Sequence, residues 1–340
     1  MNTLLLRRPL RSLPTGLLLA TLLCGLPKTC GGSDFSAASI GTAGSEFLNL
    51  DVGPRYIAMG GAGSAVVDDI YSLYWNPAGL SRIPRAAASA MHNEYLAGIR
   101  MQYLSYAQRI NDSSVLGGAV RYMDAGDIDH TDISGNRLGT FRPRNYVYEL
   151  GWGQTIADMT DSEREVAIGV TARYLHSDLL VHAGGIAGDL GVQVRYTEAD
   201  WPYRFGVTAQ NMGQGQQFEV VRDNLPFRAK MGGAISPLPY LLFALDAVFP
   251  ISNQPYGAAG IELSLDAPNG VKAALRAGYN GLNQFSGLEG LRGLSGGIGI
   301  KLMDLSIDYA FVPFGLLGDA HRFSLSWSLP AKRSRRFRER

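Results

Sequence analysis

The chain has 340 residues, 46% of them hydrophobic and only 18% charged, against about a quarter charged in an ordinary soluble domain. Its formal net charge of +1 hides an uneven spread, because without residues 1–32 and 330–340 the chain holds 21 basic against 29 acidic residues. That acidic body argues against nucleic-acid binding, and two cysteines near the N-terminus, Cys24 and Cys30, leave no disulfide framework for the fold.

Residues 1–32 read as an export signal. Arg7, Arg8 and Arg11 precede the apolar core "TGLLLATLLCGL" (15–26), which is shorter than the roughly 20 residues that span a bilayer as a helix. Small residues follow in "TCGGS". A lipid-anchor cysteine needs a small residue before it, whereas Leu23 and Thr29 stand there. No later segment has a helix-length apolar run, so the exported chain is either soluble or crosses a membrane as strands.

Residues 33–84 form the next unit, and 45–84 do not alternate. "MGGAGSAV" carries Gly60 and Gly61 but is no phosphate loop: Val66 stands where the dinucleotide pattern needs glycine. These glycines are expected to permit close backbone packing. Asp68 and Asp69 are suited to capping a preceding turn. In "LYWNPAGL", Asn76 caps and Pro77 opens a short helix through Ala78, with Gly79 helping to end it. Trp75 and Leu80 are expected to pack on a wall. The segment reads as a partly helical N-terminal plug.

From 85 to 329 the pattern has period two. In "REVAIGVTARY", Val166, Ile168, Val170, Ala172 and Tyr174 share one face, and Glu165, Gly169, Thr171 and Arg173 share the other. In "DLGVQVRY" and "YRFGVTAQ" the polar faces include Gly191 and Gly206. Strands are predicted near 86–94, 99–109, 114–125, 143–156, 164–176, 185–196, 202–212, 226–236, 239–249, 256–265, 271–280, 294–302, 304–313 and 319–329. Alternation alone would also fit a soluble sandwich. Strand length, the even number and export favour an all-β transmembrane barrel of about 14 antiparallel strands.

Arg121, Arg173, Arg195, Arg204, Arg228, Lys230, Lys272, Arg276, Asp308 and Arg322 fall mid-strand. Where the stripe is clear they oppose the apolar face. Lys or Arg in lipid at the midplane costs roughly 2–4 kcal/mol, so these side chains are expected to face the lumen. Tyr103, Tyr122, Tyr146, Tyr148, Tyr174, Tyr196 and Tyr279 suit the aromatic girdles at the membrane interfaces.

Site chemistry is sparse. Asp124, Asp127, Asp129 and Asp132 offer oxygen ligands at a spacing that suits calcium, but the EF-hand order fails and an acidic extracellular loop is the plainer reading. His92, His130, His176, His182 and His321 show no metal-ligand spacing, and His176 and His182 flank a loop as surface residues. No nucleophile motif stands out, so neither an enzyme nor a cofactor is expected. With a periplasmic N-terminus the odd-numbered strands run outward, which places 124–142 outside. The basic tail 330–340 reads as periplasmic, solvated chain.

Two long motifs carry a resemblance. "FLNLDVGPRYIAMGGAGSAVVDDIYSLYWNPAGL" resembles the N-terminal signature of the PorV/PorQ outer-membrane family, which is related to FadL-type barrels. "LSIDYAFVPFGLLGDAHRFSLSWSL" is similar to its closing strands, and "HNEYLAGIRMQYLSYAQ" and "VTAQNMG" fit between. The resemblance spans about 46–329 and implies a fourteen-stranded, plugged barrel in the outer membrane. It implies a secretion accessory of the type IX kind, whose partners are lipid and exported proteins with a C-terminal sorting domain. A FadL-like passive channel for hydrophobic small molecules and a structural barrel without transport remain as alternatives. The chain departs from outer-membrane custom at its end, where "PAKRSRRFRER" replaces a terminal aromatic residue.

Overall fold

The computed structural model describes residues 35–159, 164–197, 199–267, 270–282 and 293–330. The export signal and nearly all of the basic tail therefore lie outside the described residues. The strands are β1 (Ala86–Glu94), β2 (Arg100–Arg109), β3 (Ser114–Asp124), β4 (Ile128–Thr131), β5 (Arg137–Phe141), β6 (Arg144–Met159), β7 (Arg164–Asp178), β8 (His182–Tyr196) and β9 (Tyr203–Gln214). They continue as β10 (Gln217–Phe218), β11 (Val221–Arg222), β12 (Arg228–Leu238), β13 (Leu241–Pro250), β14 (Tyr256–Asp266), β15 (Val271–Asn280), β16 (Leu294–Leu302), β17 (Leu305–Pro313) and β18 (Asp319–Leu329).

Fourteen of these close a barrel in which each strand pairs antiparallel with its neighbours and β18 returns to β1, Ala86 facing Leu329. The short ribbons β4–β5 and β10–β11 stand apart from it as hairpins. No helix among the described residues is long and apolar enough to cross a membrane. The wall crosses it instead, since a closed barrel satisfies every backbone donor and acceptor in lipid.

Burial is inverted relative to a soluble protein. Leu104, Leu150, Leu190, Leu245, Leu275, Ile307 and Leu325 point outward and are at least half exposed. Arg121, Glu149, Arg173, Asp189 and Lys230 point inward and are buried. The outward stripe is the lipid face, and the alternation follows from water and plug on one side and hydrocarbon on the other. Tyr148 and Tyr174 stack on the outer face near one end with ring centroids 6.3 Å apart. Tyr196 and Tyr203 stack near the other at 4.3 Å. Tyr103 departs from the girdle reading: it faces the lumen, fully buried, and its hydroxyl donates to Glu149 at 3.0 Å.

One end of the barrel has tight connections, such as 239–240 and 303–304, and the other has 125–143 and 215–227. Outer-membrane barrels keep short turns in the periplasm and long loops outside. The start of β1 and the end of β18 are thus periplasmic, and 125–143 is extracellular. Residues 35–50 overturn the expected periplasmic N-terminus. Phe35 N donates to Ile251 O at 3.1 Å and Gly44 N to Asn224 O at 2.9 Å, both on the extracellular connections. The described chain therefore begins at the outer mouth, runs down the lumen and reaches the periplasmic end before β1. Strand direction is unchanged, because it is set by where β1 starts.

Candidate functional site

The lumen is the site the fold constructs, and the plug fills it. Gly53, at φ +80°, turns the chain into a helical turn, Pro54–Ala58, with Pro54 in its first position. Gly60 and Gly61 then reverse it at positive φ. A Cβ on Gly60 would lie 2.4 Å from the Tyr279 carbonyl oxygen, so close backbone approach as well as φ requires glycine there. A second helical turn, Ser72–Trp75, leads to Asn76 and a 3-10 helix, Pro77–Arg82.

Asn76 is fully buried and ties three pieces together. Its Oδ1 accepts from Ala78 N at 3.2 Å, which caps the 3-10 turn. Its Nδ2 donates to Ser64 O within the plug at 2.9 Å and to Val192 O on β8 at 3.1 Å. Gly79 lies inside that helix, which continues to Arg82, so it does not end it. A Cβ there would be 2.5 Å from Val67 O. Trp75 faces the interior of the plug. Its Nε1 donates to Val52 O at 2.8 Å, its ring meets Tyr74 edge-on at 5.3 Å, and it touches the wall through Lys230, whose Nζ is 4.4 Å from the ring centroid. Leu80 does pack on the wall, over Gly151 and Gly153 of β6.

The wall is cut to receive this shape. A methyl on Gly151 would meet Leu73 at 2.4 Å, on Gly169 the Pro77 carbonyl carbon at 2.2 Å, on Gly191 Asn76 Oδ1 at 2.0 Å, and on Gly206 Ser64 O at 2.1 Å. Across the lumen, Gly260 would meet Met59 at 2.6 Å, Gly278 the amide of Gly60 at 2.0 Å, and Gly297 Ala58 Cβ at 2.6 Å. Such approaches lie far inside van der Waals contact, so these positions accept no side chain while the plug is seated.

Charge completes the seat. Arg121 donates to Glu149 at 2.9 Å, and Arg173 donates to Asp189 at 2.9 Å and to Asn211 Oδ1 at 2.8 Å. Asp189 Oδ1 also accepts Asn211 N, which occupies a bulge where β8 and β9 lose register. Arg121, Arg228 and Arg173 surround the Tyr74 ring at 4.9, 5.3 and 5.8 Å. On the opposite side Arg55 forks onto Glu262 at 2.8 Å and reaches Asp68 at 2.9 Å, while Arg276 joins Glu262 to Asp308.

Asp68 and Asp69 part company. Burial opposes the charge on Asp68, but Arg55, Arg195 and Arg204 outweigh it and hold its carboxyl well below the usual range. Burial pushes Asp69 up to about 6, with Arg55 pulling it down and Asp68 pushing it up. Asp69 caps the turn that follows it, accepting Tyr71 N at 2.9 Å, rather than a preceding one, and it accepts the Tyr56 hydroxyl at 2.9 Å.

A cavity of about 460 Å³ opens at the periplasmic mouth. Its lining sets Arg55, Asp68, Arg276 and Asp308 beside apolar Ile83 and Trp327, so it is a mixed vestibule. The carboxylates of the acidic loop take separate partners. Asp124 is gripped by Arg142 at 2.6 Å, Asp129 pairs with Arg137 at 2.9 Å, and Asp132 caps its own turn through Ser134 N at 2.8 Å; Asp127 joins no cluster among the described residues. His176 and His182, read from sequence as separate surface residues, instead meet at Asp178.

The family model described as "Type IX secretion system protein PorV" matches residues 35–236, more than half of the chain. The chain belongs to the PorV family. No curated protein matches it. Among solved structures, the fold is similar to that of the monoaromatic hydrocarbon channel CymD, at 13% identity, with 83% of this chain and 98% of that one covered and a TM-score of 0.55. The toluene transporter TbuX of Ralstonia pickettii is similar at 14% identity, 82% and 98% coverage and a TM-score of 0.53. A FadL homologue from Pseudomonas aeruginosa follows at 11% identity, 81% and 97% coverage and a TM-score of 0.51. At these identities the likeness is one of fold alone.

Proposed function

We propose that this barrel is an accessory of type IX secretion that holds exported proteins at the cell surface while its lumen stays plugged. The observation that carries the reading is the glycine seat. A plug so close that a methyl added to the facing wall glycines would lie only 2.0–2.7 Å from it must leave before anything can cross. That favours work at the outer rim over conduction. Two further features weigh against a FadL-like passage for apolar molecules. Strand pairing closes the barrel all the way round, and the periplasmic vestibule sets charged Arg55, Asp68, Arg276 and Asp308 among its apolar side chains, where an apolar solute would desolvate them.

The test is deletion of the gene, followed by quantification of surface and secreted proteins and of uptake of a labelled fatty acid and of toluene. The proposal expects proteins bearing a C-terminal sorting domain to vanish from the surface, with both uptake rates unchanged. An unaltered surface proteome with lost uptake would instead establish the channel reading.

A further inference from the structure

The extracellular end of the β7–β8 hairpin gathers two imidazoles on one carboxylate. β7 and β8 pair so that Asp178 faces His182, and His176 lies two residues back on the same strand face. The lumen side here is taken by Leu175, Ser177 and Ala183, all buried, so His176, Asp178 and His182 project outward. His176 Nε2 is 3.0 Å from Asp178 Oδ1, and His182 Nδ1 is 2.6 Å from that same oxygen. The two rings lie 6.1 Å apart and 11° from parallel. One ligand atom from each residue falls within 4.8 Å of the others, and no other set of His, Cys, Asp and Glu does so among the described residues.

We propose that His176, Asp178 and His182 form a binding site for a divalent transition cation of the Zn²⁺ type at the outer rim. Two neutral imidazoles and one carboxylate make a borderline-soft ligand set, suited to Zn²⁺, Ni²⁺ or Cu²⁺ and poorly suited to Mg²⁺ or Ca²⁺. Bonds of about 2.1 Å in a tetrahedron separate the ligand atoms by roughly 3.4 Å. The present 2.6 and 3.0 Å contacts need to open only slightly. His182 is 76% exposed and free to make that adjustment. The fourth position faces away from the barrel, just beyond the Tyr148–Tyr174 pair, where water or a headgroup oxygen can fill it. Arg144 stands opposite Asp178 on β6 without an ion pair to it among the described residues. The carboxylate is therefore committed only to the imidazoles. A cation here would clip the two strands together at the edge from which the outer loops rise.

Titration calorimetry of the tag-free full chain in detergent micelles, with ZnCl₂ as the probe, tests this. The expected result is one Zn²⁺ per chain at micromolar concentration, unaffected by excess MgCl₂. Loss of an outer-shell partner alone costs about 10–100-fold in affinity, so His182→Ala and Asp178→Asn should each weaken binding at least about tenfold. His130→Ala, on the separate ribbon, should bind as the parent does. Gel mobility of unboiled samples verifies that each barrel is folded. Absence of binding, equal displacement by Mg²⁺, or undiminished affinity in folded His182→Ala would overturn the site.

Discussion

Substituting Gly191 by alanine should unseat the plug while leaving the lipid face untouched. The added methyl would sit 2.0 Å from Asn76 Oδ1 and 2.9 Å from Pro77 Cδ. Both belong to the plug, and β8 cannot retreat without breaking its ladders to β7 and β9. Asn76 must swing away and forfeit its bonds to Ser64 O, Val192 O and Ala78 N. Overpacking costs about 1–3 kcal/mol, and stranding a buried amide costs about 1–3 kcal/mol more. A midrange total of about 4 kcal/mol raises the population with the plug open on the order of 1000-fold. Trypsin reads that population, because Arg55 and Arg82 are plug residues with side chains only 21% and 9% exposed when it is seated. The controls are Gly233→Ala and Gly296→Ala, whose methyls would meet nothing closer than 3.6 and 3.7 Å. Equal cleavage rates in Gly191→Ala and the controls would refute the seat.

Other predictions extend the same reasoning. Asn76→Asp keeps the shape but points an acceptor at two carbonyls, and should raise plug cleavage by a cost of about 1–3 kcal/mol or more. Arg121→Ala leaves buried Glu149 with only the Tyr103 hydroxyl and a longer contact to Arg173, and should lower resistance to urea by about 1–3 kcal/mol. Asp69 stands above its ordinary value, so protonation favours the seated plug. That gain is complete below about pH 4 and is lost as pH rises through about 6. Urea midpoints of plug release should fall across this window, and Asp69→Asn should flatten the slope; a slope of the opposite sign would contradict the assignment.

Much of the wall was legible because lipid and lumen impose period two on every strand. β7 shows it residue by residue, from Val166 outward to Arg173 inward. The seat was half legible. Gly169, Gly191 and Gly206 already stood on the polar faces of their strands, the one signal that something presses close there. Nothing local says that Pro77, Asn76 and Ser64 are what presses, since those contacts span well over a hundred residues in one case. The entry of residues 35–50 at the outer mouth, the bulge at Asn211 and the meeting of His176 with His182 share that cause. Each depends on strand register or on long-range docking, which spacing in the chain does not encode.

If the barrel works at its outer rim, secretion proceeds with the lumen sealed. Ser64 of the plug donates its hydroxyl to Asp246 of β13 at 2.6 Å, so paired cysteines at these two positions bring their sulfurs within reach of a disulfide that joins plug to wall. The decisive measurement is the amount of sorting-domain protein reaching the surface in cells carrying Ser64→Cys with Asp246→Cys, oxidised and reduced. The same surface amount is expected in both states. Surface display that collapses on oxidation and returns on reduction would contradict it.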